Sequence, residues 1–272
     1  MNEKCNLACE KCHVANRANV RDCSIDEVKM ALNVMRSQNI ISLAITGGEP
    51  FIWSDGKENL ETVVEYAHKI GFATICIYTN GTLPLESSAD VLFVGLDDIN
   101  NSNCDSGQCP TSTIINNIQK SHHPYIALNS TVTKKNLYNI ESHARQSFME
   151  LHIKSIFFYL HTPYYGFDDN FLSSEERKTA LDLIIKMKKN GYPIINSISV
   201  LEGVKNNKWE RPSNNCQIYG EGKFFNCCRA EGNNEACVNC GYLGYAELEY
   251  ISHLNLNALT NAIRHAIRIN TT

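Results

Sequence analysis

IISLAITGGEP, residues 40–50, is a short apolar run that stops on a glycine pair. Ile40 to Ile45 is apolar and partly β-branched except for Ser42, which is the composition of a buried strand, and Gly47-Gly48 ends it. Upstream, Ser24-Ile25-Asp26-Glu27 is a capping box, and Val28, Met30, Ala31, Val34 and Met35 behind it have helical spacing. Downstream, residues 58–70 (ENLETVVEYAHKI) predict a helix stopped by Gly71, and residues 72–79 (FATICIYT) a strand broken at Asn80-Gly81. The alternation continues with a strand at 90–97, a helix at 111–121, a strand at 125–132 (YIALNSTV) and a helix at 136–150. A strand at 155–161, a helix at 173–190 and a strand at 193–201 (PIINSISVL) complete it. Six strands with intervening helices predict right-handed parallel β/α units in an open or closed barrel. The site of such a barrel lies at the C-terminal strand ends, where Gly47-Gly48, Asn80-Gly81, Asp97-Asp98 and His161 fall.

The pattern changes after about residue 205. Residues 203–245 are rich in Asn, Gly, Glu and Cys with little periodicity, and a last helix is expected at about 254–268, apolar at Leu254, Leu256, Leu259, Ile263 and Ile267. The expected division is a core over 1–204 and a cysteine-rich extension over 205–272, with the stretch around Trp209 and Arg211 as the linker. The chain has 272 residues, 43% hydrophobic and 20% charged, an ordinary globular balance, with a formal net charge of −4. That charge is too mild to point to nucleic acid, and no run reaches the ~18 apolar residues of a membrane helix. The polar start, Met1 to Cys5, carries no apolar export segment, so a soluble cytoplasmic protein is the expectation.

Twelve cysteines are the informative count. Cys5, Cys9, Cys12 and Cys23 crowd the start, and Cys216, Cys227, Cys228, Cys237 and Cys240 crowd a stretch near the end. Without an export signal, such thiols point to metal ligation or catalysis before disulfides. Cys5-x3-Cys9-x2-Cys12 places three thiolates in one loop, enough for three irons of a [4Fe–4S] cluster. A zinc site borrowing His13 or Cys23 is the other reading of that spacing.

CNLACEKC at 5–12 followed by TGGEP at 46–50, with Tyr78-Thr79-Asn80-Gly81 after the next strand, resembles the radical S-adenosylmethionine (SAM) superfamily over roughly residues 1–200. The resemblance implies a partial (β/α)6 TIM-like barrel with a cysteine-rich C-terminal extension. It implies an enzyme whose cluster, on Cys5, Cys9 and Cys12, leaves one iron open to chelate SAM, reduces it and yields a 5′-deoxyadenosyl radical. Gly47 and Gly48 would leave backbone bare for the cofactor, and Glu49 would receive the methionyl ammonium. Asn80 is expected either at the ribose or carboxylate of SAM or as a turn former. Asn129 and Ser130 match ribose contacts or a buried polar pair, and Asp97-Asp98 a SAM or substrate contact or a turn. Two positions depart from the family pattern. Lys11 stands where an aromatic residue is usual, and only four residues precede Cys5, where the first barrel strand is expected.

Near the end, Cys216, Cys227, Cys237 and Cys240 are the expected four-thiolate site, with Cys227 taken over Cys228 because Gly222 to Cys227 resembles the family's glycine-to-cysteine hairpin. An auxiliary [4Fe–4S] cluster, a structural zinc and redox-active thiols remain open there. Cys240-Gly241-Tyr242 resembles the tail of adenosylhopane synthase-type members. Cys104 and Cys109 are loop thiols, and His161, Tyr164 and Tyr165 follow a strand on the active face. The expected partners are a small-molecule, lipid or peptide substrate and an electron donor of ferredoxin or flavodoxin type. The alternative is a non-catalytic iron–sulfur electron-transfer or scaffold protein with the same fold.

Overall fold

Helix α1 (Ile25–Ser37) begins where the capping box requires: the Glu27 N–H donates to Ser24 Oγ at 3.2 Å, and Ser24 N–H donates back to the Glu27 carboxylate at 2.9 Å. Val28, Ala31, Leu32 and Met35 form its buried stripe, while Met30 is exposed. The computed structural model describes residues 1–9, 12, 21–99, 111–164, 166–211, 215–228 and 233–271. Lys11, His13, Cys104, Cys109 and Tyr165 lie outside the described residues.

The first of two compact units takes Met1–Gly95, Asn100–Ala127 and Tyr219–Phe224. After α1 come β1 (Ser42–Ile45), a short hairpin of β2 (Ser54–Asp55) and β3 (Glu58–Asn59), and α2 (Leu60–Lys69), capped by the Asn59 side chain. Strand β4 (Thr74–Thr79) pairs in parallel with β1, Ser42 opposite Thr74, and β5 (Val91–Gly95) pairs in parallel with β4, Cys76 opposite Val91. No helix lies between β4 and β5, as expected, and α3 (Thr111–Lys120) follows. Ile75, Ile77, Leu92 and Val94 are fully buried, so the strands are the centre of this unit's core.

The second unit takes Leu96–Ile99, Leu128–Ile218 and Phe225–Thr272. It holds α4 (Ile140–Glu150), β7 (Ser155–Leu160), α5 (Ser174–Lys189) and α6 (Ile198–Lys205), and β6 (Ile126–Val132) begins in the first unit and ends here. The sheet runs β1-β4-β5-β6-β7, five strands of an incomplete β/α barrel. The hairpin β8 (Gln217–Gly220) and β9 (Lys223–Asn226) follows, then α7 (Asn234–Val238), α8 (Leu243–Ser252) and α9 (Leu256–Thr271). The extension therefore has more regular structure than its composition suggests, and the single last helix expected near 254–268 begins at Leu256. No helix among the described residues is long and apolar enough to cross a membrane.

The strand expected at 193–201 does not form. Only Ile194 bridges Ile156, and α6 starts at Ile198. The cause is Asn196-Ser197. Asn196, fully buried, accepts from the Phe158 N–H and donates to the Phe158 carbonyl, both at 2.9 Å, so its amide replaces one rung of the strand ladder. Ser197 then caps α6 by accepting from the Val200 N–H at 3.4 Å.

Replacing Asn196 by Ala orphans two buried backbone groups of β7. The expected loss is about 2–6 kcal/mol at roughly 1–3 kcal/mol for each of the two unsatisfied groups. It is read as a lower denaturant midpoint with an unchanged slope. A loss under ~0.5 kcal/mol would show that the amide does not close the strand.

Candidate active site

Residues 2–4, just ahead of Cys5, lie along the end of β1. Asn2 makes a parallel bridge with Gly47, Gly48 N–H donates to the Asn2 carbonyl at 2.9 Å, and Glu49 N–H donates to the Lys4 carbonyl at 2.9 Å. The N-terminal ammonium reaches the Thr46 carbonyl at 3.1 Å. Asn2 and Glu3 are buried, and Asn2 Nδ2 donates to the Glu49 carbonyl at 2.7 Å. This packing explains the glycine pair. A Cβ on Gly47 would lie 2.0 Å from the Asn2 carbonyl oxygen, and one on Gly48 1.9 Å from that of Lys4. The close approach expected of a cofactor is made here by the protein's own N-terminal backbone.

Glu49 is likewise engaged by the protein itself. Its carboxylate is fully buried and turned inward, accepting from Thr79 Oγ1 at 2.8 Å, Phe51 N–H at 3.1 Å and Asn80 N–H at 2.8 Å. Burial raises its pKa, opposed by those three hydrogen bonds. Glu49 thus ties the end of β1 to the end of β4.

Cys5 follows residues 2–4 directly. Its sulfur accepts from Leu7 N–H at 3.4 Å and Asn80 Nδ2 at 3.6 Å. Burial pushes its pKa up, and those two hydrogen bonds pull against the shift. Asn80 Nδ2 also donates to Asn6 Oδ1 at 2.9 Å, Asn6 Nδ2 donates to Thr82 Oγ1 at 2.8 Å, and the Thr82 hydroxyl donates to Asn80 Oδ1 at 2.6 Å. Gly81 turns the chain here at φ +72°, where a Cβ would lie 2.6 Å from Val94 Cγ1. Asn80 is a turn former that also braces the cysteine loop. Cys12 N–H donates to the Cys9 carbonyl at 3.1 Å. Cys23 is buried apart from these contacts, its carbonyl accepting from Trp53 Nε1 at 3.0 Å.

In the second unit Ser130 is spent internally. Its hydroxyl donates to the Leu96 carbonyl at 2.7 Å and stands 3.0 Å from His143 Nε2, while Ile99 N–H donates to His143 Nδ1 at 3.1 Å. Nδ1 is therefore the acceptor nitrogen and Nε2 carries the proton, and burial pushes the His143 pKa down to about 4. Asn129 differs: its Oδ1 is buried with no hydrogen-bond partner among the described residues. Asp97 accepts from Thr131 N–H at 2.7 Å and Asp98 from Asn139 Nδ2 at 2.9 Å, both turn-holding bonds. His161 Nε2 pairs with Asp168 at 3.0 Å.

The C-terminal thiols surround a cavity of ≈ 10 Å³, about one water in size. Cys227, Cys237 and Cys240 line it, and so does Cys228. Successive residues of a strand face opposite ways. Cys227, just past β9, has φ +66°, which breaks that alternation and brings both thiols to one cavity. Cys216 is held beside them by Cys227 N–H on its carbonyl at 2.9 Å. Burial pushes Cys216 and Cys240 up to about 11. The turn Cys237–Cys240 is docked on β7 through Gly241, whose carbonyl accepts from Leu160 N–H at 3.0 Å. The Arg177 side chain donates to the Asn239 and Cys240 carbonyls at 3.1 and 2.8 Å. The sequence alone takes Cys227 over Cys228, offers no signal for Arg177 and reads Trp209 only as part of a linker. Among the described residues no three Cys, His, Asp or Glu side chains are close enough to share one metal ion.

Residues 1–123 match the family model described as the radical SAM superfamily. Over that stretch the chain is similar to radical SAM proteins. It is 32% identical over 98 residues to a probable GTP 3',8-cyclase of Methanothermobacter thermautotrophicus, a match covering 36% of this chain and 31% of that one. It is 23% identical over 165 residues to the antilisterial bacteriocin subtilosin biosynthesis protein AlbA of Bacillus subtilis, covering 54% and 35%. The chain spans about a third of the length of these relatives. Among solved structures, SuiB of Streptococcus suis bound to S-adenosylmethionine aligns at TM-score 0.57 and 14% identity, over 71% of this chain and 47% of that one. anSMEcpe with bound AdoMet and the Cp18Cys peptide aligns at 0.59 and 16%, over 94% and 78%. At these identities the likeness is one of fold.

Gly48→Ala places a Cβ against backbone that cannot yield. Residues 1–4 are expected to leave the strand end while α1 and α2 stay folded. Hydrogen exchange would then show the amides of Gly48 and Glu49 unprotected and those of α2 unchanged. Protection equal to wild type would refute the steric account.

Proposed function

We propose that this chain is an enzyme that starts radical chemistry on a peptide by reductive cleavage of SAM. The observation that carries the reading is the anchoring of the Cys5–Cys12 loop, by residues 1–4 and Asn80, at the C-terminal ends of β1 and β4. Three thiols form a soft donor set suited to iron–sulfur ligation. Cys5, Cys9 and Cys12 would hold three irons of a [4Fe–4S] cluster. When bound with SAM, that cluster supplies the electron that releases methionine and a 5′-deoxyadenosyl radical. The chain's own part is positional. Leu7 N–H and Asn80 Nδ2 hydrogen-bond the Cys5 sulfur, which stabilises its thiolate form. Glu49 fixes the strand ends against which the loop rests. The Gly47-Gly48-Glu49 backbone is retained as the SAM seat, with the Glu49 carboxylate acting as its strut. In the second unit, Asn129 Oδ1 is buried without a partner among the described residues, whereas the Ser130 hydroxyl is consumed by Leu96 and His143.

A second [4Fe–4S] cluster on the C-terminal cysteines is part of this reading. It is supported by the four cysteines, Cys227, Cys228, Cys237 and Cys240, that line one cavity, a soft donor set. The peptide substrate is supported by the relatives. AlbA, a bacteriocin biosynthesis protein, matches over 165 residues, against 98 for the cyclase, and SuiB is known in complex with its precursor peptide SuiA. A ferredoxin- or flavodoxin-type donor would supply the electron.

The test is anaerobic loading, iron counting, then SAM with dithionite and detection of 5′-deoxyadenosine. About eight irons per chain are expected, four from each cluster. Cys9→Ala should keep about four and lose deoxyadenosine formation by at least ~100-fold, whereas Cys237→Ala should keep about four and retain it. Deoxyadenosine at the wild-type rate from Cys9→Ala would sink the assignment. Clusters without SAM cleavage would favour the electron-transfer alternative.

A further inference from the structure

Trp209 lines the thiol cavity together with Cys227, Cys228, Cys237 and Cys240, and is 8% exposed. Its Nε1–H is buried and reaches no acceptor among the described residues. The chain's other indole, Trp53, is also buried but donates to the Cys23 carbonyl at 3.0 Å. A buried N–H is rarely left unmade, because it loses its water and gains nothing. An orphan donor on a residue that lines a cavity together with four cysteines points to an acceptor that arrives with a ligand.

The surroundings are cationic. The Arg211 guanidinium lies 5.0 Å over the Trp209 ring and also lines the cavity. It is held there by donating to the Val238 carbonyl at 2.9 Å and by a hydrogen bond to Asn207 Oδ1. Arg177 is fixed behind the Cys237–Cys240 turn through the carbonyls of Asn239 and Cys240. An indole donor and two anchored guanidiniums suit an occupant with net negative charge, which a thiolate-ligated iron–sulfur group has in both oxidation states.

We infer that Trp209 donates its Nε1–H to a sulfur of the iron–sulfur group held by the C-terminal cysteines and, with Arg177 and Arg211, raises its reduction potential. This rests on the reading that those cysteines bind a [4Fe–4S] cluster. The direction follows from charge. The reduced cluster carries one more electron, so a hydrogen bond and nearby cations stabilise it more than the oxidised form. Trp209 is a positioning residue, tuning the group without ligating it.

The test uses the anaerobically loaded full chain. Trp209→Phe should keep about eight irons, and titration with dithionite should find the C-terminal cluster's midpoint potential more negative and the N-terminal one unmoved. In protein made with indole-¹⁵N tryptophan, pulsed EPR of the reduced clusters should show a ¹⁵N coupling that persists in Trp53→Phe and vanishes in Trp209→Phe. An unchanged potential with about eight irons would overturn the inference and leave the cluster standing. If Trp209→Phe does not fold, the wild-type spectrum decides: no ¹⁵N coupling with about eight irons present overturns it. A wild-type chain that loads only about four irons, with Cys237→Ala loading the same number, overturns the C-terminal cluster and this inference together.

Discussion

The candidate active site depends on one steric constraint: backbone must meet backbone where residues 1–4 lie against Gly47 and Gly48. Two carbonyl oxygens occupy the space where side chains would begin, 2.0 and 1.9 Å from the ideal Cβ positions. Only glycine permits this. The contact sets the position of Lys4, and Cys5 follows in the chain, so the first thiol is placed by the sheet with no intervening loop. The opposite side of the same loop is held by Asn80, which follows β4 immediately. Cys5 and Asn6 are thus held by both adjacent parallel strands.

Glu49 shows how a residue's chemistry is redirected by burial. A carboxylate at a strand end suggests a group offered to a cationic ligand. Here the charge is removed from water and given three protein donors, one from its own turn and two from the end of β4. Desolvation alone would neutralise it, and the donors work against that by stabilising the ionised form. The result is a strut between β1 and β4. The motif and its spacing are the same under either role, and only the hydrogen-bond partners distinguish them.

Where local pattern and tertiary packing agree, the fold was legible. The Ser24 capping box, the strands at 42–45, 74–79 and 126–132, and the helix at 174–189 lie within a few residues of their expected places. The failures have local causes. PIINSISVL has the composition of a strand, yet one buried amide, Asn196, substitutes for the ladder and the next residue caps a helix. The pairing of residues 2–4 with the end of β1 was invisible because a single bridge at Asn2 has no periodicity to detect. The part played by Cys228 was not legible either, because strand alternation sends neighbours to opposite faces. The positive φ of Cys227 that defeats this is uncommon outside glycine and has no composition signal. In the site, the cysteines and glycines were legible as residue types, while the partners of Glu49, Asn80 and Ser130 were not.

The two thiol sites share a construction that neither motif announces. Beside Cys5, a glycine at the end of β1 admits the Lys4 carbonyl, and Glu49 N–H bonds that same oxygen. Beside Cys240, Gly241 meets the end of β7: a Cβ there would lie 1.8 Å from the Leu160 carbonyl oxygen, and Leu160 N–H bonds the Gly241 carbonyl. In each case a cysteine stands one residue from a contact that only a bare Cα allows, made with the end of a buried strand. Side chains can repack around a lost contact, but backbone this close cannot shift without moving the strand. Each thiol therefore inherits the rigidity of the sheet, which is what a site needs if metal, and not a preformed pocket, is to complete it.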